Sequence, residues 1–242
     1  MNTTKADRTL IVIPARLQSN RLPNKPLLMH KGKTLLDYTY EQAKKTKAGM
    51  VVVATSDQGI MDYCADKNMD WVQTPDCPNG SARCFHAYTQ YIDKGYEWVI
   101  DWQVDEPLIN SVFVNFMIGF MHKHEYMAYT AIAPITEKQN QDPNVVKAIV
   151  SDPSFTIGVS YRDCFWFTRT PIRAMGHCGI YGFSINVLWN IFNYRQTEAS
   201  KEEKLEQLSW IEGGVSLTGI EMRELPLSIN TPEDWTQFCN EN

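Results

Sequence analysis

The chain lacks paired cysteines: six occur in 242 residues, at 64, 77, 84, 164, 178 and 239, with no CxxC and no recurrent spacing. That excludes the usual zinc-ribbon and dithiol patterns. The opening residues, MNTTKADR, have no apolar stretch of the secretory kind, so the expectation is a cytoplasmic protein with free thiols. No run approaches the roughly 20 apolar residues that a membrane span needs. Basic charge is also scarce, with a net charge of −5 and a pI near 5.6, so no footprint for a nucleic-acid backbone is present. His122 and His124 stand two apart, which on a helix points them in different directions, and no metal pair is expected there. Neither GxxxxGK[ST] nor GxGxxG occurs, so any phosphate must be held mainly by side chains.

What is present is ordinary for a folded soluble protein, 43% hydrophobic and 21% charged. One stretch stands out, TLIVIPARLQSNRLPNKPL, residues 9–27. Leu10, Ile11, Val12 and Ile13 form the continuous aliphatic run of a strand buried on both faces. The loop that follows carries Arg16, Arg21 and Lys25, stiffened by Pro14, Pro23 and Pro26. Loops at the carboxyl ends of strands are where open α/β sheets bind ligands. Three cations in a small volume suit a polyphosphate, the guanidinium groups forking its oxygens and the lysine acting as a point charge. A solvated basic loop is the alternative, and the position after the first buried strand weighs against it.

Along the chain, residues 34–45 read as a helix, 50–55 as a second buried strand ending at Ser56 and Asp57, 59–67 as a short helix and 70–73 as a third strand. A turn-rich segment, 74–83, opens onto a helical pattern at 84–92. In it Gly80 permits close approach and Ser81 is a credible N-cap, although a loop that merely caps a helix explains it equally well. WVIDW, 98–102, reads as the central strand. Asp105 and Glu106 follow it, two carboxylates that repel unless solvated or holding a cation, and Mg²⁺ commonly takes one or two carboxylates plus substrate phosphates. Then come a helix at 111–124, strands at 128–135, 144–150, 164–169 and 177–183, helices at 184–194 and 202–210, a strand at 216–222 and a last helix at 232–239. The repeated β-loop-α order predicts a mostly parallel sheet with helices on both faces. No repeat, low-complexity tract or linker divides residues 1–242, which read as a single domain.

In order, the segments PAR, RLPNKPL, VVVATSD, NGSAR, QVDEP, DPNVVK, FTRTPI, HCGIYGF, KLEQL and INTPEDW resemble those of the 3-deoxy-manno-octulosonate cytidylyltransferases, over nearly the whole chain. The resemblance implies a nucleotide-diphosphosugar transferase-like (Rossmann-like) α/β fold and a homodimer. It also implies a reaction in which the anomeric hydroxyl of a 3-deoxy-2-keto acid sugar, KDO or a close analogue, attacks the α-phosphorus of CTP. CMP-sugar and pyrophosphate result, Mg²⁺ assists, and the product serves lipopolysaccharide biosynthesis. Carried onto these positions, Arg16, Arg21 and Lys25 hold the triphosphate, with Arg16, Lys25 and Asp105 catalytic and Asp105 on the metal. Ser81 and Arg83 contact cytidine. Gln103, Arg169, His177, Glu206 and Gln207 face the sugar. From the residues alone, His177 reads as a histidine satisfied within the sheet.

The chain also departs from that pattern. Asn230 stands where the family has its second metal-binding aspartate, Val104 replaces a glycine, and Ser209 replaces an arginine. Only residues 173–176 separate FTRTPI from HCGIYGF, where the family commonly has a longer insertion. Four readings therefore stay open: an active KDO transferase, a CTP-binding homologue with little catalysis because of Asn230, a transferase for another acid sugar, and an activating enzyme that uses another nucleotide, since the loop's cations read phosphates and not the base.

Overall fold

A computed structural model of the chain describes residues 8–124, 128–156 and 158–242. Residues 1–7, which carry most of the expectation of an N-terminus without an apolar leader, lie outside them. The first half alternates strands and helices. β1 (Thr9–Pro14), β2 (Met29–His30), β3 (Lys33–Thr34) and α1 (Leu35–Lys44) lead to β4 (Met50–Thr55), α2 (Gln58–Asp66) and β5 (Trp71–Gln73). Next come α3 (Gly80–Thr89), β6 (Trp98–Trp102), α4 (Ser111–His124), β7 (Ala128–Ala133) and α5 (Glu137–Gln141). The second half runs β8 (Lys147–Val150), β9 (Ser154–Thr156), β10 (Val159–Thr168), β11 (Met175–Ser184), α6 (Ile185–Phe192), α7 (Glu198–Glu203), α8 (Glu206–Glu212), β12 (Leu217–Glu221) and α9 (Pro232–Glu241).

One ten-stranded sheet organises the strands other than β2 and β3, in the order β5-β4-β1-β6-β11-β7-β12-β10-β8 with β9 beside β10, while β2 and β3 pair separately. Its first four strands are mutually parallel, with Leu10 opposite Met50 on one side and Val99 on the other. Beyond β6 the pairing is mixed, because β11 and β10 run against the remaining strands. Alternation along β1 builds two cores. Ile11 and Ile13 pack with Leu36 of α1, Ile60 of α2 and Met117 of α4. Leu10 and Val12 pack on the opposite face with Phe85 of α3, Leu188 of α6 and Leu208 of α8. Each such side chain taken fully out of water contributes ~1.5–3 kcal/mol, which is why the aliphatic run at 10–13 sits in the parallel half of the sheet. Leu22, Leu35, Ile229 and Phe238 form a third, smaller cluster that ties the β1 loop to α9.

Several boundaries differ from the sequence expectation. α3 starts at Gly80 rather than at residue 84, and its N-cap is Asn79, whose side chain accepts from Ala82 N, so Ser81 lies inside the first turn. The helix expected over 202–210 is two helices, interrupted where Lys204 takes a left-handed conformation (φ 55°) and Leu205 is extended. The strand expected from 144 begins at Lys147. The two-residue β2 and β3 were not foreseen, being too short to show a period. All six cysteines are free, and no helix among the described residues is long and apolar enough to cross a membrane.

Candidate active site

At the carboxyl ends of β1 and β6 lies a cleft of about 730 Å³, lined by Arg16, Arg21, Lys25, Arg83, Gln103 and Asp105 among others. A larger cleft of about 1500 Å³ adjoins it and is lined by Gln103, Arg169, His177, Glu206 and Gln207. The two share Arg21, Gln103, Asp105, Asn144, Arg169, Lys204 and Asn230. Every site residue expected from the sequence lines one cleft or both except Ser81, which lines neither.

The cationic loop is held from below: Leu17 N donates to Asp57 Oδ2 at 2.9 Å, and Asn24, at φ 55°, leads into a single 3-10 turn, Lys25–Leu27, with Pro26 buried. Arg16 is exposed at the cleft wall. Lys25 Nζ sits 2.6 Å from Asp105 Oδ2. Arg21 bridges the clefts, donating to Asn144 Oδ1 at 2.9 Å and to Asn230 Oδ1 at 3.1 Å. The repulsion among these cations is thus relieved partly by protein acceptors. Arg83 is deeper, only 4% exposed, and donates to Thr74 Oγ1 at 2.5 Å and to Ser56 Oγ at 3.4 Å.

The two adjacent carboxylates after β6 face different ways. Asp105 meets Lys25, whereas Glu106 turns inward, where Oε1 accepts from Ser228 Oγ at 2.6 Å and from Gly179 N at 2.9 Å. Burial, then the neighbouring Asp105, pushes Glu106 up to about 7. Asp101, fully buried in β6, accepts from Gln103 Nε2 at 2.7 Å through Oδ1. Burial and the nearby Glu206 hold its carboxyl well above the usual range, and its Oδ1 orients the Gln103 amide. Gly80 makes room for that amide: a Cβ there would overlap Gln103 Nε2 and come within 3.0 Å of Asp101 Oδ2.

On the other side, Arg169 is fastened to the backbone through Glu203 O and Pro143 O, both at 3.0 Å. Lys147, fully buried, donates to Asp142 O at 2.6 Å and to Arg169 O at 3.2 Å, fixing the same loop. Burial, reinforced by Arg169, pulls His177 down to about 3, so it is a neutral imidazole. Its Nε2 lies 2.9 Å from Thr130 Oγ1, whose hydroxyl also reaches Ile180 O at 2.9 Å. The histidine is therefore both satisfied within the sheet and part of the cleft wall. Glu206 accepts from Ser81 Oγ at 2.6 Å. Lys147, Asn144 and Lys204 were not singled out from the sequence. The first two lie in DPNVVK and Lys204 opens KLEQL, so the motifs carried a signal that no single residue did.

Asp105 and Asn230 are hard oxygen donors that line both clefts, and Ile229 N donating to Asp105 O at 2.8 Å ties their segments together. Among the described residues no group of three or more His, Cys, Asp or Glu converges as a metal cage. The donor set therefore fits a cation held by one carboxylate and completed by phosphate oxygens, the usual habit of Mg²⁺. Asp234 does not add to it, since its Oδ2 accepts from Asn230 N and Thr231 N in the capping box of α9.

An open sheet with helices on both faces, and a cation-lined cleft at its strand ends, defines a nucleotidyltransferase-like α/β protein. The family model described as Cytidylyltransferase matches residues 10–218, and the chain belongs to that family. It is 30% identical over 235 residues to the mitochondrial 3-deoxy-manno-octulosonate cytidylyltransferase of Arabidopsis thaliana, covering 94% of this chain and 80% of that one. It is 31% identical to the 3-deoxy-manno-octulosonate cytidylyltransferase of Parvibaculum lavamentivorans, covering 95% and 90%. Among solved structures it is similar to a CMP:2-keto-3-deoxy-manno-octonic acid synthetase complexed with CTP, with TM-score 0.84 and 26% identity over 96% of this chain and 97% of that one. A UDP-glucose pyrophosphorylase complexed with UDP-glucose, at TM-score 0.67, 11% identity and coverage of 96% and 97%, shares the fold.

Proposed function

We propose that the protein transfers CMP from CTP to 3-deoxy-manno-octulosonate or a close keto-deoxy acid sugar and releases pyrophosphate. The observation that carries this reading is the meeting of a cationic cleft and a second cleft at Asp105, with Arg169 shared between them. Arg16, Arg21 and Lys25 neutralise the triphosphate, and Arg83 forms the wall on the cytidine side. Arg169 offers the sugar carboxylate a charge-assisted contact, while Gln103, Glu206 and Gln207 meet its hydroxyls. In-line attack on phosphorus asks the protein for positioning and charge neutralisation more than for covalent work. Asp105 would hold Mg²⁺ together with substrate phosphate oxygens, and the ion would supply Lewis-acid charge that lowers the pKa of the attacking hydroxyl. On substrate binding Lys25 exchanges Asp105 for a phosphate oxygen, so neither group is left buried without a partner.

A homodimer, a cytoplasmic location and a place in lipopolysaccharide biosynthesis belong to the same reading, on the strength of the family resemblance. The acidic balance of the chain supports small-molecule substrates rather than nucleic acid or membrane as partners. The test is pyrophosphate release from CTP and Mg²⁺ with KDO, its 8-amino analogue and sialic acid in turn. Turnover with KDO or its analogue is expected, and silence with all three at saturating Mg²⁺ overturns the reading. A second reading, a CTP binder with little catalysis, draws on Asn230, a neutral side chain engaged by Arg21. It requires CTP binding without turnover in the unaltered protein.

A further inference from the structure

Ser81 belongs to the segment assigned by resemblance to cytidine, yet it is 4% exposed and lines neither cleft. Its hydroxyl donates to Glu206 Oε2 at 2.6 Å, across 125 positions of sequence, and its backbone N–H reaches the same oxygen at 3.4 Å. Asn79 Oδ1 lies farther from the hydroxyl, at 3.3 Å, and already accepts from Ala82 N at 3.0 Å. The single hydroxyl proton therefore goes to Glu206.

Glu206 is placed to need such a partner. It opens α8 directly after the break at Lys204 and Leu205, and it lines the larger cleft beside Gln207. Its carboxylate rests on the first turn of the ten-residue α3, where unpaired N–H groups and the helix dipole favour negative charge. Burial pushes Glu206 up, and the two bonds from Ser81 oppose that. Asn79, Gly80 and Arg83, on the same turn, line the smaller cleft. One helical turn thus faces the nucleotide side directly and, through Ser81, anchors a wall residue of the sugar side.

We propose that Ser81 is a positioning residue for the acid-sugar subsite, holding the Glu206 carboxylate toward the sugar hydroxyls, and not a cytidine contact. The proposal rests on the functional reading above, which supplies the sugar.

The experiment is calorimetry on the full chain, with CTP titrated alone and KDO titrated into protein saturated with a non-hydrolysable CTP analogue and Mg²⁺. A hydrogen bond to a charged group, once removed, typically weakens binding by about tenfold or more. Ser81→Ala is expected to lose that much KDO affinity while CTP affinity stays within about twofold, and Ser81→Thr, which keeps the hydroxyl, to recover most of the loss. The Ser81→Ala, Glu206→Ala pair should bind KDO no more weakly than Glu206→Ala alone, a non-additivity that a separate structural effect of Ser81 would not produce. Unchanged KDO affinity in Ser81→Ala, a loss confined to CTP, or additive losses in the pair each overturn the assignment while leaving the functional reading standing. An unaltered protein that binds CTP but neither KDO nor its analogue overturns both.

Discussion

Lys25 Nζ lies 2.6 Å from Asp105 Oδ2, so the carboxylate at the junction of the two clefts carries its counter-ion before any substrate arrives. Both side chains are mostly sheltered, at 13% and 21% exposure, and neither can lose its partner without cost. Lys25→Met is expected to weaken CTP binding about 10–100-fold through loss of one charge-assisted phosphate contact. Asp105→Asn should abolish pyrophosphate release while keeping metal-free CTP binding. Calorimetry with and without Mg²⁺, beside a turnover assay, checks both. Metal-free CTP binding that disappears in Asp105→Asn would assign the aspartate to the nucleotide rather than to the cation.

Gly80 and Gln103 supply a second prediction. A methyl group at Gly80 drives into the amide that Asp101 orients, and that amide sits at the end of a flexible side chain. Gln103 moves more readily than the backbone does, so Gly80→Ala should cost only about 1–2 kcal/mol of stability. KM for the acid sugar should rise about tenfold as the Gln103 contact is lost. Urea unfolding and initial rates separate the two effects, and a large stability loss with KM unchanged would show that the backbone yields instead.

The parallel half of the sheet was legible because buried strands such as 10–13 and 50–55 are continuous aliphatic runs bounded by polar strand ends. The cationic cleft was legible for the same reason, since Arg16, Arg21 and Lys25 follow the first of those runs. Local signals failed where a tertiary partner decides. Asn79 competes with Ser81 as a cap, and the outcome depends on Glu206, which is distant in sequence. The break between α7 and α8 falls at Lys204, a residue with no turn preference, so a single amphipathic helix was the natural reading. Opposite orientations of neighbouring Asp105 and Glu106 follow from contacts with Lys25 and Ser228, which periodicity cannot reveal.

Two buried groups give the folding equilibrium opposing pH dependences. His177 is lowered to about 3, mainly by burial and then by Arg169. Between about 3 and the unfolded value near 6.5 the unfolded state binds the extra proton, so this contribution is complete above that window and lost as pH falls through it. Glu106 is raised to about 7, by burial and then Asp105. From its unfolded value near 4.3 up to about 7 the folded state binds the extra proton, so this contribution is present at low pH and lost as pH rises. The stability difference between the unaltered protein and His177→Asn should grow with pH by up to about 1.4 kcal/mol per unit across its window. The difference from Glu106→Gln should shrink at a similar rate across the other window. Urea midpoints at half-unit intervals from pH 4.5 to 7.5 read both slopes, and parallel profiles for all three proteins would contradict the assignment.

Asn230 is the position where one substitution tests how the site handles its cation. Its Oδ1 accepts from Arg21 at 3.1 Å, its segment is tied to Asp105 by the bond from Ile229 N, and Asp234 is committed to capping α9. Asp234 therefore does not replace the missing charge. Asn230→Asp adds a hard anionic oxygen beside Asp105 and an ion-pair partner for Arg21. Because affinity for a hard divalent cation follows ligand charge, the Mg²⁺ concentration for half-maximal turnover should fall by about tenfold. Metal-free CTP affinity should fall as well, since the triphosphate then meets a second carboxylate and a partly neutralised Arg21. Pyrophosphate release across a Mg²⁺ series, run beside CTP titrations in chelator, measures both shifts. If the unaltered protein turns over slowly at every Mg²⁺ concentration and the variant turns over fast, the neutral Asn230 limits catalysis. If the unaltered protein matches the variant at saturating Mg²⁺, Asp105 and the phosphate oxygens suffice.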